Sequence, residues 1–314
     1  MSAMKLAVSS CLLGHEVRFD GGHKKAPFIT QLLAKEFELV PVCPEVAIGL
    51  GVPRQTLRLV GDVDNPSVIG NRDTSLDVTS QLRVYGHEMA QRLSDICGYI
   101  VKKDSPSCGM ERVRVYDEQQ MPQRHGRGVY IAALMAQMPW LPVEEEGRLN
   151  DPVLRENFFE RVFIVHRWRS IEKKGITAAA LVKFHSEHKY MIMSRGQHEY
   201  RRLGRMVAQA GCHDIKTLAR EYFLSLMQVL KRSASKGRHA DVMFHLLGYF
   251  KKCLSADDKH EVVTLIENYR QGLLPLVVPL TLMRHHLKQV SDQYLQSQHY
   301  FSPYPERLML RNLV

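Results

Sequence analysis

Lys5-Leu-Ala-Val-Ser-Ser-Cys11-Leu-Leu-Gly14 runs from a short apolar stretch into a glycine-marked loop that carries a cysteine. An apolar run of this length, closed by a turn residue, reads as a buried strand. The pattern returns twice, in Leu39-Val-Pro-Val-Cys43-Pro-Glu45 and in Ile100-Val-Lys-Lys-Asp-Ser-Pro-Ser-Cys108-Gly109. Helical patterns occupy 27–37, 77–95 and 128–137, and a last short strand is expected at 141–143. Strands alternating with helices predict an α/β domain with a parallel, Rossmann-like sheet, because each parallel crossover needs a covering element. In such a sheet the carboxyl ends of the strands lie side by side and ligands sit in the crevice between them. Cys11, Cys43 and Cys108 are therefore expected to converge.

Three thiolates at one point suit a soft metal centre with an open coordination position, either an iron–sulfur cluster or a three-Cys zinc. Gly14, Pro44, Pro106 and Gly109 suit a close approach of backbone to such a centre. A single reactive cysteine fits less well, since no Cys–His couple is evident. Cys97, Cys212 and Cys253 fall within helical patterns and read as small core residues.

The rest of the chain differs in charge. Its 314 residues, 45% hydrophobic and 24% charged, suit about two folded domains. Residues 1–147 balance to −2 and residues 148–314 to +12, within a total of +10. Glu144-Glu-Glu-Gly147 marks the boundary, and Asp151-Pro152 opens a helix as N-cap and first helical residue. Helical periodicity then dominates, over 152–173, 177–193, 197–210, 214–232, 239–253, 257–271 and 279–297, predicting an all-α domain. Its arginine-rich excess of positive charge predicts a polyanionic partner, with nucleic acid foremost. The most apolar run, 273–283, is too short for a membrane span and is broken by Pro275 and Pro279. A cytoplasmic protein with reduced cysteines is expected.

Taken together, Cys11-Leu-Leu-Gly14, Val17-Arg-Phe-Asp-Gly21, Cys43-Pro-Glu45, Gly51-Val-Pro-Arg54, Asp77-Val-Thr79 and Ser105-Pro-Ser-Cys-Gly109 resemble the thiouracil desulfidase (TudS) family, over about the first 145 residues. Phe19 stands where that family more often has Tyr. The second half, with Phe184-His-Ser-Glu-His-Lys-Tyr190, His245-Leu-Leu-Gly-Tyr-Phe-Lys-Lys252 and Pro303-Tyr-Pro-Glu-Arg-Leu-Met-Leu-Arg311, resembles the YbgA-type domain. The fusion is similar to the RudS desulfidases, which convert 4-thiouridine in tRNA to uridine. The resemblance implies a 4Fe–4S cluster held by Cys11, Cys43 and Cys108, with an open fourth iron for the thiobase sulfur, and it decides iron–sulfur over zinc. It also implies that Glu45 and Ser105 line the site.

The expected reaction exchanges C=S for C=O by water attack at C4, with sulfide released and no net electron transfer. Glu45 is the expected general acid/base, Ser105 and Ser107 the expected hydrogen-bond donors to base or cluster, and Asp20 a residue that orients a partner side chain. Lys183, His185, Lys189, Arg195, Arg201, Arg202 and Arg205, interleaved with Phe184, Tyr190 and Tyr200, form the expected tRNA surface. Arg167 and Arg169 are further phosphate candidates. Phe184, His188 and Met191 have the spacing of a core stripe, and His185-x-x-His188 lacks a third ligand for a metal. Two other functions fit the same residues: a desulfidase of free thiopyrimidines, and a nucleic-acid-binding redox or sulfide sensor without turnover.

Overall fold

A computed structural model describes residues 4–250, 254–290 and 292–314; Cys253 lies outside them. The chain divides into two compact units, Met1–Asn150 and Asp151–Val314.

The first unit contains β1 (Lys5–Ser9), β2 (Glu38–Val42), a short helix α1 (Pro44–Ala47), β3 (Leu57–Val60), β4 (Ser67–Gly70), α2 (Thr79–Arg92), β5 (Ile96–Val101), β6 (Val113–Tyr116), β7 (Pro122–Gly126), α3 (Val129–Gln137) and β8 (Val143–Glu145). One sheet has the order β2-β1-β5-β8, and every neighbouring pair is parallel. All six residues of β5 are buried, as are Leu6, Ala7 and Val8 of β1. Central parallel strands are covered on both faces, which explains their unbroken apolar runs. The chain leaves β1 toward β2 and later returns to the other side of β1 as β5. The crevice between β1 and β5 is thus the switch point where open α/β sheets bind ligands.

A second sheet, β4-β3-β6-β7, mixes one parallel with two antiparallel pairings. It was not expected from the sequence. Two other readings also shift. The stretch expected as a helix at 27–37 forms a π turn, Phe28–Leu32, running into a 3-10 turn, Leu33–Lys35. Arg148, placed beyond the boundary, is tied into the first unit by Glu144 at 2.6 Å and by Glu111.

In the second unit the described helices are α4 (Pro152–Glu172), α5 (Ala178–Glu187), α6 (Lys189–Met193), α7 (Gln197–Ala208), α8 (Ile215–Leu230), α9 (Lys236–Leu247), α10 (Ala256–Gln271), α11 (Val277–Leu287) and α12 (Gln293–Gln296). No strand is present among its described residues. Side-chain caps set several of the starts. Asp151 accepts from the amides of Val153 and Leu154, and Ser255 forms a capping box with Asp258. The stretches 177–193 and 279–297, each expected as one helix, break at His188 and after Leu287.

A buried ionic network spans this unit. Arg195 pairs with Glu160 at 2.6 Å, while Arg311 and Tyr304 both reach Glu156 of α4. The stretch 303–311 therefore fastens the chain's end to α4.

Candidate functional site

The three cysteines stand where three parallel strands end. Cys11 lies in the 3-10 turn Ser10–Leu13 that follows β1, and Gly14 closes this turn at φ 99°, a conformation that favours glycine. Cys43 follows β2 in extended conformation and caps α1, with Pro44 at the first helical position. Cys108 sits in the turn after β5. Ser105 Oγ accepts from the amides of Ser107 (3.3 Å) and Cys108 (3.1 Å), and Gly109 N donates to Ser105 O at 2.8 Å. The start of α3 holds this turn from the other side. Gly128 N donates to Gly109 O, Val129 N to Pro106 O and Ile131 N to Ser107 O.

These turns enclose a cavity of about 350 Å³ whose wall includes all three cysteines, with Glu45, Arg54 and Ser105. Burial first, and then proximity to Cys43, pushes the Cys11 thiol up to about 11. Burial likewise raises Cys43. Cys108 lies well above its ordinary range because of burial and then the charges of Glu45, Cys43 and Cys11. Three thiols, one buried and two half-buried, that disfavour their thiolate forms need a cationic centre to become thiolates, so the donor set suits a soft metal. Among the described residues no group of three or more His, Cys, Asp or Glu could hold a metal ion, neither the three cysteines nor a site built on His185 and His188. In a multi-iron cluster, where the thiolates go to different irons, the thiols need not meet at one ion.

Glu45 is held from both sides. Its Oε2 accepts from Arg54 Nε (2.8 Å) and Nη2 (2.6 Å), and its Oε1 accepts from Ser107 Oγ (2.8 Å). Arg54 also donates to the carbonyls of Gly51 and Val17. Arg54 and Glu45 are mostly buried, with side chains 7% and 16% exposed. Two guanidinium donors on one oxygen and the Ser107 hydroxyl on the other fix the carboxylate's orientation as well as its charge. Arg54 closes the Gly51-Val-Pro-Arg54 motif, and nothing local in that motif marks its pairing with Glu45.

The other expected residues fall in different places. Ser105 lines the cavity while its oxygen holds the Cys108 turn. Ser107 is fully buried and is not part of the cavity wall; it acts on Glu45 rather than on a ligand. Asp20 is off the wall in an exposed turn, where Gly22 N and Arg18 hold its carboxyl below the usual range. Arg18 itself lines the cavity.

In the second unit two expected RNA contacts belong to the core instead. Arg195 is 3% exposed and committed to Glu160 and Ser194. His185 is buried against Tyr222, its Nδ1 3.0 Å from the Tyr222 hydroxyl, and burial lowers it to about 4. Arg167 donates to the carbonyl of Pro303. Phe184, His188 and Met191 are buried, as a core stripe should be. Lys183, Arg201 and Arg205 face solvent, and Arg202 pairs with Glu199 at 3.0 Å.

An open α/β unit with three cavity-lining thiols and a clamped carboxylate at the carboxyl edge of its parallel sheet defines a thiol-ligand domain. Residues 6–146 match the 2-thiouracil desulfurase family, and residues 189–305 match a family of unknown function, DUF1722. The chain belongs to the 2-thiouracil desulfurase family and carries DUF1722 as its second part. It is 29% identical over 153 residues to the uncharacterized protein YbgA of Escherichia coli (strain K12), which spans 48% of this chain and 90% of that protein. It is 33% identical over 113 residues to the uncharacterized protein YbbK of Bacillus subtilis (strain 168), 33% of this chain and 72% of the other. A solved structure of the 4Fe–4S-dependent thiouracil desulfidase TudS is 32% identical, over 47% of this chain and 94% of that one, with a TM-score of 0.38. Among the described residues no helix is long and apolar enough to cross a membrane.

Proposed function

We propose that this chain is an iron–sulfur-dependent desulfidase that converts 4-thiouridine in tRNA to uridine in the cytoplasm. The observation that carries the reading is the single cavity walled by Cys11, Cys43, Cys108 and the clamped Glu45. The three cysteines would hold a 4Fe–4S cluster, which when bound supplies a Lewis acid with one iron open to a soft thiocarbonyl sulfur.

The remaining chemistry falls to the chain's own residues. Replacing C=S by C=O with water releases sulfide and moves no net electrons, so a proton acceptor for the water is required. Glu45 takes that role at Oε1, the oxygen bound only by the Ser107 hydroxyl, while Arg54 fixes Oε2 and keeps the carboxylate in place. Ser105, on the wall, has its own hydroxyl hydrogen to donate to the base. Arg18 and Lys103 bring positive charge to the same wall, which suits a nucleotide phosphate. The second unit, +11 over residues 151–314, holds the RNA backbone.

The test is anaerobic purification, an iron count and visible spectrum, and then incubation with thiolated tRNA while 4-thiouridine absorbance is followed. A coloured protein that removes the absorbance supports the reading. Turnover of free thiouracil without turnover of tRNA assigns the free-base activity instead. RNA affinity that tracks cluster state without turnover assigns a sensor.

A further inference from the structure

Two stretches that the desulfurase chemistry leaves unused meet on the surface of the second unit. Lys189 and Tyr190 open α6, and His245 and Tyr249 lie at and just beyond the end of α9. The Tyr190 ring is 5.8 Å from that of His245, His245 is 6.0 Å from Tyr249, and both tyrosines are 6.4 Å from Tyr294 of α12. The Lys189 ammonium stands over three rings, 5.1 Å from Tyr190, 5.8 Å from Tyr200 and 5.7 Å from Tyr294.

Two features separate this cluster from ordinary core packing. Tyr249 is 39% exposed, and His245 is also exposed. Lys189 meets no carboxylate among the described residues, so only ring faces balance its charge. Tyr190 is buried beneath the cluster, its hydroxyl beside Tyr249 and Tyr294. Tyr200, the half-buried third ring under Lys189, lies on α7 beside the exposed Arg201. Exposed rings and an uncompensated cation together match what an unstacked nucleotide offers: a π face and a phosphate.

We propose that this cluster seats an unpaired nucleotide of RNA, its base stacked on Tyr249 and Tyr294 and its phosphate drawn to Lys189. The proposal rests on the RNA reading given above and locates the contact within DUF1722.

The full chain is titrated by fluorescence anisotropy with a labelled single-stranded oligouridine and with a duplex RNA of equal length, over a series of salt concentrations. The single strand is expected to bind more tightly than the duplex. Tyr249→Ala is expected to weaken single-strand binding about tenfold without changing its salt slope, because stacking carries no charge. Tyr249→Phe keeps the affinity, and Lys189→Gln lowers both the affinity and the salt slope, the slope by about one. Parental affinity in Tyr249→Ala overturns the proposal while leaving RNA binding intact, as does equal loss in Tyr249→Phe. A parent protein that binds no RNA overturns the wider reading as well. Tighter, Tyr249-dependent binding of a polyglutamate peptide assigns the surface to an acidic protein instead.

Discussion

Arg54 is the residue on which the candidate site turns. Its guanidinium makes two bonds to Glu45 and one each to the carbonyls of Gly51 and Val17, so it joins three loops of the first unit. Removing one partner of a mostly buried pair strands the other, and Arg54→Met is expected to destabilise the protein by about 3 kcal/mol in urea titrations. Arg54→Lys retains the charge but not the fork, so it should recover only part of that loss. Glu45→Gln tests the chemistry rather than the fold. It keeps the shape, stops the side chain accepting a proton, and should lower kcat at least about a hundredfold. The visible spectrum and iron content should stay unchanged, since Glu45 is not among the three thiol ligands. Glu45→Gln with full kcat removes Glu45 from the reaction. The cysteines and Glu45 are legible in the sequence because each lies directly after a recognisable strand. Arg54 was not assigned, because its partner is chosen by how 51–54 folds back, which no local pattern records. Arg195 and His185 were misread for a similar reason. A basic residue among other basic residues looks solvated, whereas Glu160 and Tyr222, which hold them in the core, are remote in sequence.

At the scale of elements, the site depends on the contact between the Cys108 turn and the start of α3. A Cβ on Gly128 would lie 2.5 Å from the Ser107 carbonyl carbon and oxygen and 2.8 Å from Cys108 N, all of them backbone atoms. Backbone cannot yield as a flexible side chain can, so Gly128→Ala should displace Cys108 although Gly128 does not line the cavity. The expected outcome is a folded protein whose iron content after anaerobic reconstitution falls by half or more. Full iron loading in Gly128→Ala would show that the turn tolerates the shift. Legibility also divides by element. The first sheet is readable because β1 and β5 are continuous apolar runs, the mark of strands covered on both faces. The second sheet is not. Leu57–Val60 and Ser67–Gly70 have four residues each, and Pro122–Gly126 reads Pro-Gln-Arg-His-Gly, without an apolar alternation. Strands so short are defined by their partners rather than by their own pattern. The long helices of the second unit are legible from their periodicity and caps. The break at His188 is not, because the buried His188 ring turns back to the Phe184 carbonyl at 2.7 Å.

For the whole molecule, histidine sets an asymmetry between the units. The four histidines of the first unit, His15, His23, His87 and His125, are exposed. The second unit buries several. Burial lowers His185 and His299 to about 4, and takes His188 and His239 well below their ordinary range. An unfolded histidine titrates near 6.5. Between pH 6.5 and 4 the unfolded chain therefore binds protons at these four sites that the folded chain refuses. The stability that they contribute is complete above 6.5 and is lost as pH falls through that window. Glu160 works in the opposite direction. Burial raises its carboxyl despite the pull of Arg195, so the folded state keeps a proton there that the unfolded chain has released. The four histidines outnumber Glu160, so stability should fall as pH drops through this window. Each unit contains one tryptophan, which makes the prediction directly measurable. Trp168 is buried in the second unit and stacks on Phe223 at 4.6 Å, so Trp140→Phe leaves an emission signal from that unit alone. In fixed, sub-denaturing urea, Trp168 emission should shift to the red between pH 6 and 4.5, and returning to pH 7 should reverse the shift. Emission that stays constant across this range would mean that the buried histidines gain their protons without unfolding, through a rearrangement that lets water reach them.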